Sequence, residues 1–409
     1  MLKRFTHIAL STCLLLLVTV AAVPSPQEQK KEKAPKDQQE YDLINKAITE
    51  ADAAKKIQVL DQWKEKYAES DYAEDRLRLY LASYQQTNQL PKAVETAKDL
   101  LKQVPGDFSA NYTIALLTPF LGATTPQAFA DGDTAAKALL GGAIDKQFRP
   151  ENKQATVAQA DWENAKKQAQ ASAHQTLGWV AMQKKDNLLA EKELKQVLEL
   201  NPDSGQVSYW LGDVVLKQGD PNKNELALFS FARAAMHEGK GALPPESRKQ
   251  VDEYLTKVYS KYTGTEDGLG ELKQLAKTRA LPPVDLKIES AEVRTFKAEQ
   301  QARKDNPLLY RFIDLKTQLT GGNGDSIWGD LRGKLTPEMR LFVVGSDPPD
   351  RPQTIHLSSK KGGSVEVVLN LENRSREAIG SGREIRFEGV ASNLTKQPFR
   401  LTLTDGKIM

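Results

Sequence analysis

Cysteine is nearly absent from this sequence: Cys13 is the only one in 409 residues, and it lies inside an apolar N-terminal stretch. Lys3 and Arg4 precede that stretch, Ile8 to Val20 form its apolar run, and Val20-Ala21-Ala22 close it with small residues. This is the pattern of a cleaved export signal over residues 1–22. An uncleaved anchor is one alternative, although the run is shorter than the ~20 residues a spanning helix needs. A lipoprotein is the other: Leu10-Ser11-Thr12-Cys13 resembles a lipobox, with Thr12 a poor fit. Cleavage would leave no disulfide, no thiolate nucleophile and no cysteine metal ligand. The expectation is an exported protein, periplasmic or secreted, with no transmembrane span once the signal is gone.

Other chemistry is equally sparse. Of four histidines, His174, His237 and His356 remain after cleavage, without HExxH or any other close ligand spacing. No GxSxG positions a serine nucleophile. Gly321-Gly322-Asn323-Gly324-Asp325 lacks the Lys-Ser/Thr of a phosphate loop and reads as an inter-domain turn. Carboxylates are frequent, but they sit beside lysines, as in Glu191-Lys192-Glu193 and Lys195, where ion pairing on exposed helix faces explains them. No catalytic residue, metal or cofactor is therefore expected, and the chain reads as a non-enzymatic protein. A strong charge of one sign is missing as well. The net charge of +3 includes Lys3 and Arg4, which argues against nucleic acid as a partner. Asn111-Tyr112-Thr113, Asn373-Arg374-Ser375 and Asn393-Leu394-Thr395 are glycosylation sequons.

What is present is helical periodicity followed by strands. Residues 23–40 hold Pro24, Pro26 and Pro35 among Gln, Lys and Glu, with little to bury, and read as a disordered linker. From Tyr41 to Leu101, apolar residues recur at helical spacing in four segments. Phe108 to Ser172 is helical but broken at Thr124-Thr125-Pro126 and Arg149-Pro150, and its register stays open. Ala173 to Ala235 contains two helical hairpins in tandem. Leu177-Gly178 recurs as Leu211-Gly212 after one period of 34 positions.

Gly178 is followed by Ala190, Leu194, Val197 and Pro202 at the spacing of the tetratricopeptide repeat. Gly212 is followed by Ala227, Phe231 and Ala234 with the same mutual spacing, after a three-residue lengthening within Gly219 to Asn224. A third copy upstream, with Tyr84, Ala93, Ala97, Leu100 and Pro105, has Leu81 where glycine is expected. The chain thus resembles the tetratricopeptide repeat family. The resemblance implies a helical solenoid over 41–280 whose first helices line a groove for a protein or peptide partner. In that register the groove positions are Gln175, Trp179, Met182 and Gln183, then Tyr209, Asp213, Leu216 and Lys217. Trp179 and Tyr209 could equally be packing residues, since aromatics are apolar surface before they are anchors.

Glu246 to Ala280 should cap the solenoid, and 281–326 reads as a partly helical connector. From Ile327 onward short alternating segments read as strands: Leu331–Leu335, Met339–Val344, Thr354–Leu357, Val365–Leu371, Glu384–Val390 and Phe399–Leu403. A small antiparallel β barrel or sandwich over 327–409 follows, making the whole an α+β multidomain chain. Phe387-Glu388-Gly389-Val390 and Pro398-Phe399 resemble the closing hairpin of a divergent OB barrel found after repeats in some bacterial secreted proteins. That resemblance implies a second possibility, an envelope glycan or oligomer bound by the β domain.

Overall fold

The structure is a computed structural model that describes residues 33–121 and 125–409. The signal segment with Cys13, and linker residues 23–32, lie outside the described residues. The chain divides into two compact units, Met1–Ile288 and Glu289–Met409.

The first unit is built from paired helices: α1 (Gln38–Thr49), α2 (Ala53–Lys66), α3 (Ala73–Gln86), α4 (Leu90–Gln103), α5 (Phe108–Leu117), α6 (Pro126–Ala138), the short α7 (Ile144–Gln147), α8 (Gln159–Gln183), α9 (Asn187–Leu200), α10 (Gly205–Gln218), α11 (Asn224–Met236), α12 (Pro245–Thr263) and α13 (Leu269–Thr278). Each hairpin packs on the next, α2 on α3, α4 on α5, α6 on α8, α9 on α10 and α11 on α12, and the core is a succession of four apolar clusters along the chain. The starts of these helices are written in the sequence. Side chains of Asp37, Asp52, Asp107, Asp186 and Ser204 each accept a backbone N–H from the first turn that follows. Gly219 and Gly264 end α10 and α12 in the left-handed conformation, with φ of 68° and 79°.

The repeat glycines are contact residues. A Cβ on Gly178 would stand 3.0 Å from Leu194 Cδ2, and one on Gly212 would stand 3.0 Å from the Phe231 ring. Ala190 and Ala227 are buried at the equivalent crossing one turn earlier, while Pro202 is exposed in the turn before α10. Phe231 occupies the place of Leu194 once the longer α10–α11 turn is allowed for, so the insertion changes the connection and preserves the packing. Arg233 of α11 is buried and donates to the carbonyls of Ala276 and Lys277 at the end of α13, and to that of Pro202.

Three features depart from the sequence reading. Glu40, assigned to the disordered linker, is fully buried: its carboxylate accepts from Trp63 Nε1 at 3.1 Å and from Lys36 N at 2.6 Å. A carboxylate in a polar run reads as solvated until its partners, here 23 residues away at Trp63, are known. Second, the irregular 108–172 segment contains a further hairpin, α5–α6, and α8 begins well before Ala173. Its added turns are held by Trp162, whose ring lies 4.8 Å from that of Phe148. Third, residues 281–288 belong to the solenoid, because Leu281, Leu286 and Ile288 pack into its core.

The second unit carries α14 (Ala291–Asp305), α15 (Pro307–Thr320) and α16 (Gly324–Leu331), then β1 (Met339–Asp347), β2 (Thr354–Ser358), β3 (Val367–Leu371), β4 (Glu384–Lys396) and β5 (Phe399–Ile408). The five strands close into a barrel in the order β1-β2-β3-β5-β4, antiparallel except for the parallel β3–β5 pair. Of barrel and sandwich, the barrel forms. Met339, Leu341, Val343, Ile355, Leu357, Leu369, Phe387 and Leu401 fill it, and Phe312 of α15 enters the same core. The strand expected at Leu331–Leu335 is absent. Ile327, Trp328 and Leu331 follow helical spacing in α16, and only Leu335 makes a single bridge to Val390. The Gly321–Gly324 turn joins α15 to α16 within this unit.

Candidate functional site

The expected groove residues lie on α8 and α10. On α8, Gln175, Trp179, Met182 and Gln183 follow one another at helical spacing, with Gln183 exposed and Gln175 half-buried. Met182 is half-buried against the α9–α10 core. Trp179 is only 7% exposed, because Phe129 of α6 meets it edge to face at 5.7 Å. The hairpin that the sequence left unassigned therefore covers the tryptophan.

On α10 the four residues come to one surface. Tyr209 is half-buried and lies edge to face on Phe231 at 5.9 Å. Asp213 accepts from Lys217 Nζ at 2.5 Å, and Leu216 is exposed beside them. The structure adds Tyr254 of α12, which meets the other side of this cluster: its ring lies 5.2 Å from that of Phe231 and the residue is 40% exposed. In the sequence Tyr254 stands among the apolar residues of 246–280 expected to cap the solenoid. The buried stripe is Val251, Leu255 and Tyr259, at steps of four, while Tyr254, Val258 and Tyr262 form a second stripe beside it. Separating those two stripes was the signal that could have found it.

The electrostatics agree with this grouping. Burial, then the Asp213 carboxylate and Tyr254, push the Tyr209 phenol up to about 12. Burial and Asp213 raise Tyr254 too, with the Lys217 ammonium opposing. Both phenols stay protonated at neutral pH, and the surface offers neutral aromatic rings around one ion pair.

A second polar cluster braces the turn that carries the insertion. Glu191 accepts from Lys195 Nζ at 2.6 Å, Lys223 Nζ at 2.7 Å and Gln218 Nε2 at 2.8 Å. Burial pushes its carboxyl up, but these bonds outweigh burial and hold it down at about 2. An open depression of about 440 Å³ adjoins it, walled by Asn187, Leu188, Asp220 and Lys223. Lys223 is committed to Glu191, and the exposed Lys185 also lines the depression.

Among the described residues no three His, Cys, Asp or Glu side chains converge on a common point suited to a metal. His174 pairs with Glu193 at 2.7 Å, and His237 lies against the Lys240 carbonyl at 3.2 Å. No described helix is long and apolar enough to cross a membrane. Of the sequon asparagines, Asn111 is buried and donates to the carbonyls of Asp107 and Pro105, whereas Asn373 and Asn393 are exposed.

No protein-family description matches the chain, and no curated protein matches it. A solved structure from the functional characterization of pilF of Pseudomonas aeruginosa is similar at 18% identity, covering 56% of this chain and 98% of its own, with a TM-score of 0.25. A likeness at that TM-score assigns neither fold nor function.

Proposed function

We propose that this protein is a non-enzymatic interaction scaffold of the tetratricopeptide kind, exported to the periplasm or beyond, that binds a protein or peptide through its solenoid. The observation that carries the reading is the surface where Tyr209, Asp213 and Lys217 of α10 meet Tyr254 of α12. Successive first helices contribute to one strip there, and a continuous strip across repeats suits an extended peptide or a partner helix. Fixed aromatic side chains bind with little loss of rotamer freedom, which makes them efficient anchors. Export is the reading of Lys3, Arg4 and the apolar run after them. The barrel, read as OB-like, serves as an accessory domain.

The test is site-specific crosslinking. A photoreactive residue at Leu216 is compared with one at exposed Lys192 on α9, in the source organism, and the adducts are identified by mass spectrometry. A protein captured at Leu216, absent from Lys192 and lost in Tyr209→Ala, supports the reading. Equal capture at both positions, or a glycan in place of a protein, overturns it.

A further inference from the structure

Asp213 lies four residues after Tyr209 and four before Lys217, so the three side chains share one face of α10. Tyr254 approaches from α12, and both tyrosines rest on Phe231, a fully buried ring that fixes where they stand. Asp213 acts on both phenols, and its side chain is 29% exposed. A cation already occupies this position: the Lys217 ammonium sits 2.5 Å from Asp213 and is near enough to Tyr254 to oppose the rise of its phenol pKa. The lysine side chain is itself 60% exposed, and an exposed pair of this kind contributes little, so it is readily exchanged.

We propose that Tyr209, Asp213 and Tyr254 form a receptor for a cationic side chain, an arginine or lysine of the bound peptide, with Lys217 its internal stand-in; this rests on the peptide-binding reading above. The carboxylate supplies the charge and the two rings supply faces that attract a cation. An acidic partner segment would meet the Asp213 carboxylate between the same residues and be repelled by it. Arginine suits the place better than lysine, because its flat guanidinium stacks on aromatic faces while donating to a carboxylate.

The experiment uses the full chain with labelled tyrosines, titrated with N-acetyl-arginine amide and, as its uncharged isostere, N-acetyl-citrulline amide. The arginine compound shifts the Tyr209 and Tyr254 ring resonances and the citrulline compound does not. Tyr254→Ala weakens binding about two- to fivefold, the range for an exposed cation–aromatic contact. Asp213→Asn weakens it at least as much, and Lys217→Ala tightens it about twofold by removing the competing pair. Equal binding of citrulline, or unchanged binding by Asp213→Asn, overturns the inference. The peptide-binding reading falls separately. A protein crosslinked at Leu216 through a segment without arginine or lysine sinks the cation receptor alone, whereas the loss of selective capture at Leu216 sinks the scaffold reading itself.

Discussion

Replacing Gly212 by alanine tests whether the repeat glycine is there for packing. The added Cβ would lie 3.0 Å from Phe231 Cδ1 and Cε1 and 3.1 Å from Cγ, tighter than an ordinary van der Waals contact at three ring atoms. Phe231 is confined, since the Tyr209 and Tyr254 rings meet it at 5.9 and 5.2 Å and the ring is buried. Overpacking of this kind costs about 1–3 kcal/mol. Alanine also favours a helix over glycine by about 1 kcal/mol, which offsets part of that cost. Gly270 in the first turn of α13 is the control without overpacking, because a Cβ there meets nothing within 4 Å. Gly270→Ala should therefore raise the urea midpoint slightly and Gly212→Ala should not, the two differing by about 1–3 kcal/mol at a common m-value. Gly178→Ala should be milder than Gly212→Ala, because its neighbour Leu194 can rotate its branched end where a ring cannot. Should Gly212→Ala prove as stable as Gly270→Ala, the close helix approach is not what the glycine provides, and the repeat register loses its physical basis.

Three further outcomes are expected. Glu191 is held at about 2 in the fold against an ordinary 4.5, so its stabilisation is complete above pH 4.5 and is lost as pH falls toward 2. That gap corresponds to roughly 3 kcal/mol; Glu191→Gln should lower the denaturation midpoint at pH 7 and change it little at pH 2, and an equal effect at both values refutes the assignment. Burial, and then the Arg233 charge, lower the His237 pKa below 6.5, so the fold keeps the ring neutral. Its stability should be full above pH 6.5 and decline as pH falls below it, a slope that His237→Gln removes in melting experiments at pH 5 to 7.5. Phe312→Ala should cost about 3–5 kcal/mol by emptying the floor of the barrel. Hydrogen exchange should then show faster exchange across β1 to β5 with α8 to α11 unchanged, and protection retained in the strands would refute its place in that core.

The hairpins of α8 to α11 were legible because a small residue at a close helix crossing is a local requirement with a fixed period. Gly178, Ala190, Gly212 and Ala227 announce it without reference to anything distant. The barrel was legible for a similar reason: Met339, Leu341 and Val343 alternate inward as period-two residues must. What stayed hidden depended on partners far along the chain. Glu40 reads as a tether residue because its partner Trp63 is in another helix. Trp179 stays open between groove and packing in the sequence because Phe129, which covers it, lies beyond a break at Pro126 that obscures α6. Tyr254 is hidden for a narrower reason, since two apolar stripes run side by side on α12 and only tertiary contact shows which one turns inward. Within the candidate surface, Tyr209, Asp213, Leu216 and Lys217 were placed through the repeat register, and Tyr254 required the fold.

A solenoid melts like a zipper, each repeat held only by its neighbours, and its last helix should be the first to open. Arg233 alters that order. Its guanidinium is fastened at once to the end of α13 and to the Pro202 carbonyl in the turn before α10. Opening α13 alone would break two of those bonds and leave the guanidinium with the Pro202 carbonyl. The C-terminal end from α10 to α13 should therefore behave as one cooperative block, and the proposed binding strip, which spans α10 and α12, lies wholly inside it.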